Sequence, residues 1–376
     1  MKAIAMYLPQ FYRVKENDEW WGNGYTDWIA MCKARPLFEG HKQPKKPMDN
    51  YMYDLLQKET MIWQAELMKK FGIYGMCFYH YWFKNGRQIL EKPAENLHIW
   101  KDIEMPFCFC WANAGWSRSW SNIPNQGART WTELYEKGEA SGDGILMEQS
   151  YGNEEEWIKH YDYLYPFFQD KRYIKKGNKP VIITYDTRYI LCMDDMIQCW
   201  NQLAVKNGFD GIYVIGAGCG GKDIESLDAY LVMEPNTVFH NKFQVKSTNK
   251  DQTNSARLIS YEDFWEESLN YILQKKNKKV YYSGITCYDD TPRRGKGGTV
   301  VFNDTPEKFK VYLTDLYAKN AVLKNEYVFL NAWNEWGEGM HLEPDQEFGY
   351  GYLEAIEYAE QHYREEQYKF RYMEND

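Results

Sequence analysis

The sequence predicts an α/β fold: a single (β/α)8 barrel with long loops after its strands. Three observations carry this. Short apolar runs rich in β-branched and aromatic residues recur eight times along the 376 residues. Helical patterns lie between them. The runs are nearly continuous rather than alternating, as in parallel strands buried on both faces. Strand–helix alternation at this length fits one barrel carrying insertions. A doubly wound sheet usually places a glycine-rich turn after its first strand. Here that strand runs into Pro9-Gln10-Phe11-Tyr12, which cannot cradle a pyrophosphate.

The elements follow in order. Lys2–Leu8 is the first strand. Its apolar stretch ends at Pro9 without a small-residue cleavage site, so it reads as a strand rather than a signal peptide and implies a cytoplasmic chain. The loop from Pro9 to about Asn50 is too long for a simple connection, which points to function. Asp54–Phe71 reads as a helix because Leu55, Leu56, Met61, Ile62, Ala65 and Met68 recur at helical spacing. Strands Gly72–Trp82 and Pro106–Ala112 come next, then a second long loop over Asn113–Asn153. Helix Glu154–Phe168, strand Pro180–Asp186 and helix Met193–Asn207 precede strands Gly211–Ala217 and Asp228–Met233. Helix Tyr261–Lys275, strand Lys279–Thr286, helix Pro306–Ala321 and strand Tyr327–Trp333 complete the set. The catalytic barrel is assigned to residues 1–353. Residues 354–376, charged and Tyr-bearing, form a helical tail packed on its outside.

Composition narrows the function. Tyr, Phe and Trp number 32, 18 and 15, which excludes global disorder. The net charge of −9 and the lack of a long basic run argue against nucleic acid. No run of about 18 apolar residues occurs, so no membrane insertion is expected. The eight Cys lie mostly in apolar runs and form no CxxC, so they read as buried hydrophobes in a reducing compartment. No P-loop, GxSxG, HExxH or Asp-x-Asp occurs, and no metal or cofactor is expected.

The strongest signal is Asn331-Ala-Trp-Asn-Glu-Trp-Gly-Glu-Gly339 with Leu342-Glu-Pro-Asp345. It places Glu335 and Glu338 just beyond the last strand, flanked by Trp333 and Trp336. Side chains three residues apart on a helical turn sit roughly 5–6 Å apart, and retaining glycosidases hold their two carboxyls about 5–5.5 Å apart. An adjacent apolar ring raises a carboxyl pKa, as a general acid requires. The alternative is a surface turn with two solvated glutamates.

Other candidates lie at strand ends or in the first loop. Tyr79, His80, Tyr81 and Trp82 end the second strand. Trp111 and Asn113 end the third and lead to Trp116, Arg118 and Trp120. Tyr185 and Asp186 end the fourth, and Tyr288, Asp289, Asp290, Arg293 and Arg294 follow the seventh. In the first loop stand Trp20, Trp21 and Asp27. With Asn334 and Trp336, these make a carbohydrate-binding cleft: rings pack on apolar sugar faces while polar groups bond the hydroxyls. Eight of the 15 Trp (20, 21, 82, 111, 116, 120, 333 and 336) fall on the predicted C-terminal face. The competing readings are a core histidine at His80, a solvated turn at Arg293–Arg294 and a loop anchored by Trp packing at Trp20–Trp21.

Several motifs together resemble the WbsX-like family. They are Tyr7-Leu-Pro-Gln-Phe11, Glu16-Asn17, Trp20-Trp21-Gly22, Thr26-Asp27-Trp28, Cys110-Trp-Ala-Asn113 and the Glu335 motif. Asp170-Lys-Arg-Tyr173, Gly177-Asn-Lys-Pro180, Thr291-Pro-Arg-Arg294 and Gly349-Tyr-Gly-Tyr352 match too. The resemblance spans about Lys2 to Leu353. That family is usually labelled glycosyltransferases of O-antigen or capsule clusters, and is similar to glycoside hydrolase family 99, barrel endo-α-mannosidases. The resemblance implies their retaining mechanism through a 1,2-anhydro sugar. By motif position Glu335 is then the base on the sugar 2-hydroxyl and Glu338 the acid/base. Three departures matter. Ala114 stands where relatives carry Glu, Trp116-Ser-Arg-Ser-Trp120 stands where they carry Trp-Thr-Arg-Arg-Trp, and Gly337 stands where the endomannosidases carry His, so mannose specificity does not transfer.

The leading expectation is a retaining glycoside hydrolase or transglycosylase acting on an α-linked bacterial polysaccharide or oligosaccharide. The alternatives are a cytoplasmic glycosyltransferase of surface-polysaccharide (lipopolysaccharide or capsule) biosynthesis and a catalytically dead glycan-binding barrel. The expected partner is a carbohydrate.

Overall fold

The computed structural model describes residues 1–117, 145–218, 223–240 and 256–373. Eight parallel strands form a closed barrel. They are β1 (Lys2–Tyr7), β2 (Ile73–Trp82), β3 (Phe107–Trp111), β4 (Lys179–Thr184), β5 (Tyr213–Ala217), β6 (Ala229–Val232), β7 (Lys279–Ile285) and β8 (Tyr327–Asn331). Neighbours pair in chain order. β1 closes the ring, with Ala5 opposite Met76 of β2 and Ala3 opposite Val328 of β8. Each strand lies within two residues of its predicted run. The reason is physical: β1, β3, β5, β6 and β8 are buried at nearly every position, so both faces select apolar residues.

The first loop carries two helices that periodicity did not show, α1 (Lys15–Trp21) and α2 (Asp27–Lys33). At seven residues each they are too short to display a period. The longer helices are α3 (Lys58–Lys70), α4 (Glu154–Gln169), α5 (Met193–Lys206), α6 (Tyr261–Asn270) and α7 (Pro306–Val322). Asn153, Ser260 and Thr305 cap the starts of α4, α6 and α7 by accepting backbone N–H bonds. α6 stops at Asn270, short of the predicted Lys275. Lys319 of α7, fully buried, donates to the carbonyls of Ser268, Leu269 and Tyr271. That long-range partner stops the helix and is invisible in local sequence.

At the chain's end, α8 (Gly351–His362) and α9 (Glu365–Tyr372) lie against α7. Arg371 and Tyr372 both donate to Asp315 of α7. Beyond β7 a small sheet joins Arg257–Ser260, Thr299–Phe302 and Tyr288–Asp289. The sequence reading did not contain it. It presents the segment from Tyr288 to Arg294 toward the barrel mouth. Among the described residues no helix is long and apolar enough to cross a membrane.

Candidate active site

The Glu335 motif leaves β8 at the barrel's C-terminal face. Asn334-Glu335 pairs antiparallel with Met340-His341, and Trp336–Glu338 forms one tight 3₁₀ turn between them. Gly339 closes that turn with φ +66°, a left-handed conformation that suits glycine. Asn334 is fully buried and acts as a strut. Its side chain accepts from Leu8 N–H at 2.8 Å and donates to Leu8 O at 3.0 Å, tying the motif to β1. Trp336 is also buried, stacked on His341 at 3.9 Å, and donates to Glu343 at 2.7 Å.

The two carboxylates meet one cation. Arg293 Nη1 donates to Glu338 at 2.6 Å and Nη2 to Glu335 at 3.2 Å. Asp27, at the start of α2, takes the rest of the guanidinium: Nε and Nη2 donate to it at 3.1 Å each. Asp27 also accepts the Gly337 N–H at 2.8 Å. Three carboxylates from three distant parts of the chain thus share one buried arginine.

This geometry explains Gly337. A Cβ there would lie 2.6 Å from both Asp27 oxygens and 2.7 Å from Arg293 Nε. No side chain fits while Asp27 and Arg293 hold these places.

The electrostatics are those of a crowded, dry anion cluster. Burial pushes Glu335 up from its ordinary 4.5 to about 8, and the neighbouring Glu338 charge adds to it against Arg293. Burial also raises Glu338, against the pull of Arg293. Burial disfavours the Arg293 charge, but Asp27, Glu335 and Glu338 outweigh it and hold the guanidinium protonated.

Several tyrosines face the pair. Tyr79 and Tyr81 of β2 feel the charges of both glutamates, as does Tyr185, and Tyr288 feels Glu338. The sites of partial exposure are Glu338, Tyr79, Tyr185 and Asn236, which donates to the Tyr185 phenol. Asn236 and Tyr25, whose phenol acts on Arg293, were absent from the predicted set. Tyr288, by contrast, was among the residues drawn from the segment after the seventh strand. Asn236 follows β6, a strand end from which no residue was drawn.

The other predicted residues fall in three groups. Trp20, Trp21 and Trp116 are buried around the mouth: Trp116 meets Tyr81 at 5.2 Å and Trp20 at 6.1 Å, and Trp21 meets Tyr25 at 6.1 Å. Asn113 and Asp289 are braces. Asn113 bonds both the N–H and the carbonyl of Asp186, and Asp289 accepts from His41, Gln43 and Thr291. His80 and Trp111 lie away from the carboxylates, on the barrel's outer side. His80 contacts His160 of α4 at 2.9 Å between ring nitrogens, and the Trp111 ring lies 5.0 Å from His160. Burial lowers His80 to about 3, so it is neutral. Trp82 stacks on the same His160 at 4.5 Å, and Trp333 is fully buried. Arg118 and Trp120 lie outside the described residues. Among the described residues no cluster of His, Cys, Asp or Glu is arranged to hold a metal ion.

A model of the family described as "Glycosyltransferase WbsX" matches residues 3–356. The chain belongs to this family. The WbsX-family chain is also 31% identical, over 372 residues, to a curated Xanthomonas campestris pv. campestris protein named only as uncharacterized protein WxcX. That match takes in 95% of this chain and 49% of WxcX, so the chain spans about half the length of its relative. The fold is shared with the GH99 endo-α-mannosidase from Bacteroides thetaiotaomicron, at TM-score 0.54 and 14% identity over 97% of this chain and 98% of that one. A protein titled "Glycoside hydrolase-like protein" matches with TM-score 0.56 and 12% identity, over 95% and 93% of the two chains. At such identities the likeness speaks for the (β/α)8 barrel alone.

Proposed function

We propose that this WbsX-family chain is a retaining glycoside hydrolase or transglycosylase acting on an α-linked bacterial polysaccharide or oligosaccharide. One observation carries the reading. Glu335 and Glu338 converge on a single buried arginine at the C-terminal mouth of a barrel, with tyrosines around them. Two carboxyls sharing a low-dielectric site, one of them holding a proton, are an acid/base pair.

The resemblance to family 99 supplies the chemistry. One carboxylate takes the 2-hydroxyl proton while O2 attacks C1. The C1–O bond to the leaving sugar breaks, and its oxygen takes a proton from the other carboxyl. That group then draws a proton from water, which opens the 1,2-anhydro ring at C1 as O2 recovers its proton from the first. Two displacements at C1 leave the configuration retained. Catalytic roles rest on Glu335 and Glu338. Substrate contacts rest on Tyr79, Tyr81 and Tyr185, with Trp20, Trp21 and Trp116 behind them.

The second reading is a glycosyltransferase, favoured by the family's own description. Incubation with a library of bacterial glycans and with sugar nucleotides separates the two. Release of sugar from a glycan, without a nucleotide, is the expected result. Turnover of a sugar nucleotide with no glycan release would overturn the hydrolase reading.

A further inference from the structure

The contacts of Arg293 are unequal, and Asp27 makes them so. Asp27 occupies Nε and shares Nη2, which lies 3.0–3.1 Å from its two oxygens. Glu335 has only that shared nitrogen, at 3.2 Å. Glu338 has Nη1, at 2.6 Å. The charge of the guanidinium is therefore directed at Glu338 and divided at Glu335. Exposure runs the same way: the Glu335 side chain is 8% exposed and that of Glu338 27%. Water and arginine both favour an ionised Glu338.

We propose that Asp27 is a positioning residue that, through Arg293, leaves the shared proton of the pair on Glu335. The resting enzyme then has Glu335 as its acid and Glu338 as its base. This reverses the roles implied by motif position. It rests on these two carboxyls being the reacting pair, but not on what substrate they act upon.

Other groups face the pair. Tyr79 and Tyr81 come from β2 and Tyr185 from the end of β4. Tyr288, Asp290 and Arg294 come from the segment after β7. All four phenols are held neutral by burial. Asp290 adds a negative charge beside Glu338 that opposes its ionisation against the pull of Arg293, while its own oxygens accept from Thr299 N–H at 2.6 Å and from Tyr288 at 3.1 Å. Tyr25, from the first loop, also acts on Arg293. The anchor is also rigid, because the second Asp27 oxygen holds Gly337 N–H inside the turn that carries both glutamates.

The test needs no substrate. Glutamate labelled with ¹³C at its carboxyl carbon is incorporated into the full chain, and carboxyl resonances are followed by NMR from pH 4 to 10. In the wild type one resonance should titrate far above the rest, near the value of about 8 that burial sets. Glu335→Gln should abolish it, and Glu338→Gln should retain it at lower pH. Asp27→Asn removes a charge and frees Nη2 for Glu335, so the titration should fall by about 1 unit or more. A merely structural Asp27 would lower stability and leave the titration in place. That outcome overturns the proposal, as does persistence of the high titration in Glu335→Gln. If Asp27→Asn does not fold, the two Gln variants still decide where the proton sits. Absence of glycan turnover, by contrast, would strike the hydrolase reading and leave this assignment standing.

Discussion

Strand β2 separates two polar clusters built from the same kinds of residue. Inward, Tyr79 and Tyr81 face an ionic centre of three carboxylates and one arginine. Outward, His80 and Trp82 face His160 and Tyr163 of α4, a cluster of neutral rings. Both lie near the strand's C-terminal end, and both contain buried titratable groups. They differ in what burial does to them. In the inner cluster burial leaves a proton on a carboxyl beside charged partners. In the outer cluster burial strips the proton from histidine, and the rings pack as core. A place at a strand's end is therefore a weak guide to function. Alternation along the strand decides, because successive side chains point to opposite faces.

The largest expected effect is on the inner cluster. Glu335→Gln and Glu338→Gln should each lower turnover of the cleaved glycan by ~10²–10⁴-fold while the thermal midpoint moves little. Replacing His160 with Ala should do the opposite. It opens a cavity beneath Trp82 and Trp111 and leaves the His80 ring nitrogen without its partner, at a cost of roughly 2–4 kcal/mol in chemical denaturation. Activity per folded molecule should stay near wild type. Near-normal activity in either Gln variant, or selective loss of turnover in His160→Ala, would erase the contrast.

Gly337→Ala should show both effects in one variant. Its Cβ would meet Asp27 and Arg293 at 2.6–2.7 Å, so one of them must move. Loss of stability should be about 1–3 kcal/mol. Turnover should drop more than this predicts for folded protein, since the turn holds both glutamates. An Ala variant with wild-type kinetics would mean that Asp27 and Arg293 can be displaced without consequence.

The same comparison shows what was legible in the sequence. The barrel was, because eight strands buried on both faces leave unbroken apolar runs. The Glu335 motif was, because two carboxyls beside Trp after a buried strand have few structural uses. Asp27 and Arg293 were legible as candidates, but not as partners. Nothing local says that residues 266 positions apart share a salt bridge. The tryptophan face was overread for a related reason. Trp111 and Trp82 do sit near strand ends, yet they turn toward α4, and periodicity in a continuous apolar run does not tell inside from outside. The tyrosines that surround the carboxylates were seen in part for the same reason.

The smallest expected effect, and the sharpest test of the contrast, is in the pH dependence of stability. His80 falls from its ordinary 6.5 to about 3 in the fold. Between those values the unfolded chain binds the extra proton, so stability should decline as pH drops below 6.5. Glu335 rises from 4.5 to about 8. Its protonated form is the one the fold favours, so this stability is complete below 4.5 and is lost as pH rises toward 8. The two clusters therefore pull in opposite directions across the same range. Urea denaturation at steps from pH 4.5 to 8 should separate them, because ordinary carboxylates have finished titrating above about 5. Glu335→Gln should remove part of the decline on the alkaline side and leave the acid side alone. His80→Phe should lessen the decline between 6.5 and 4.5, the buried His160 supplying the rest, and leave the alkaline side alone. Matching changes on both sides in either variant would mean that the clusters titrate as one system, and that β2 does not insulate them.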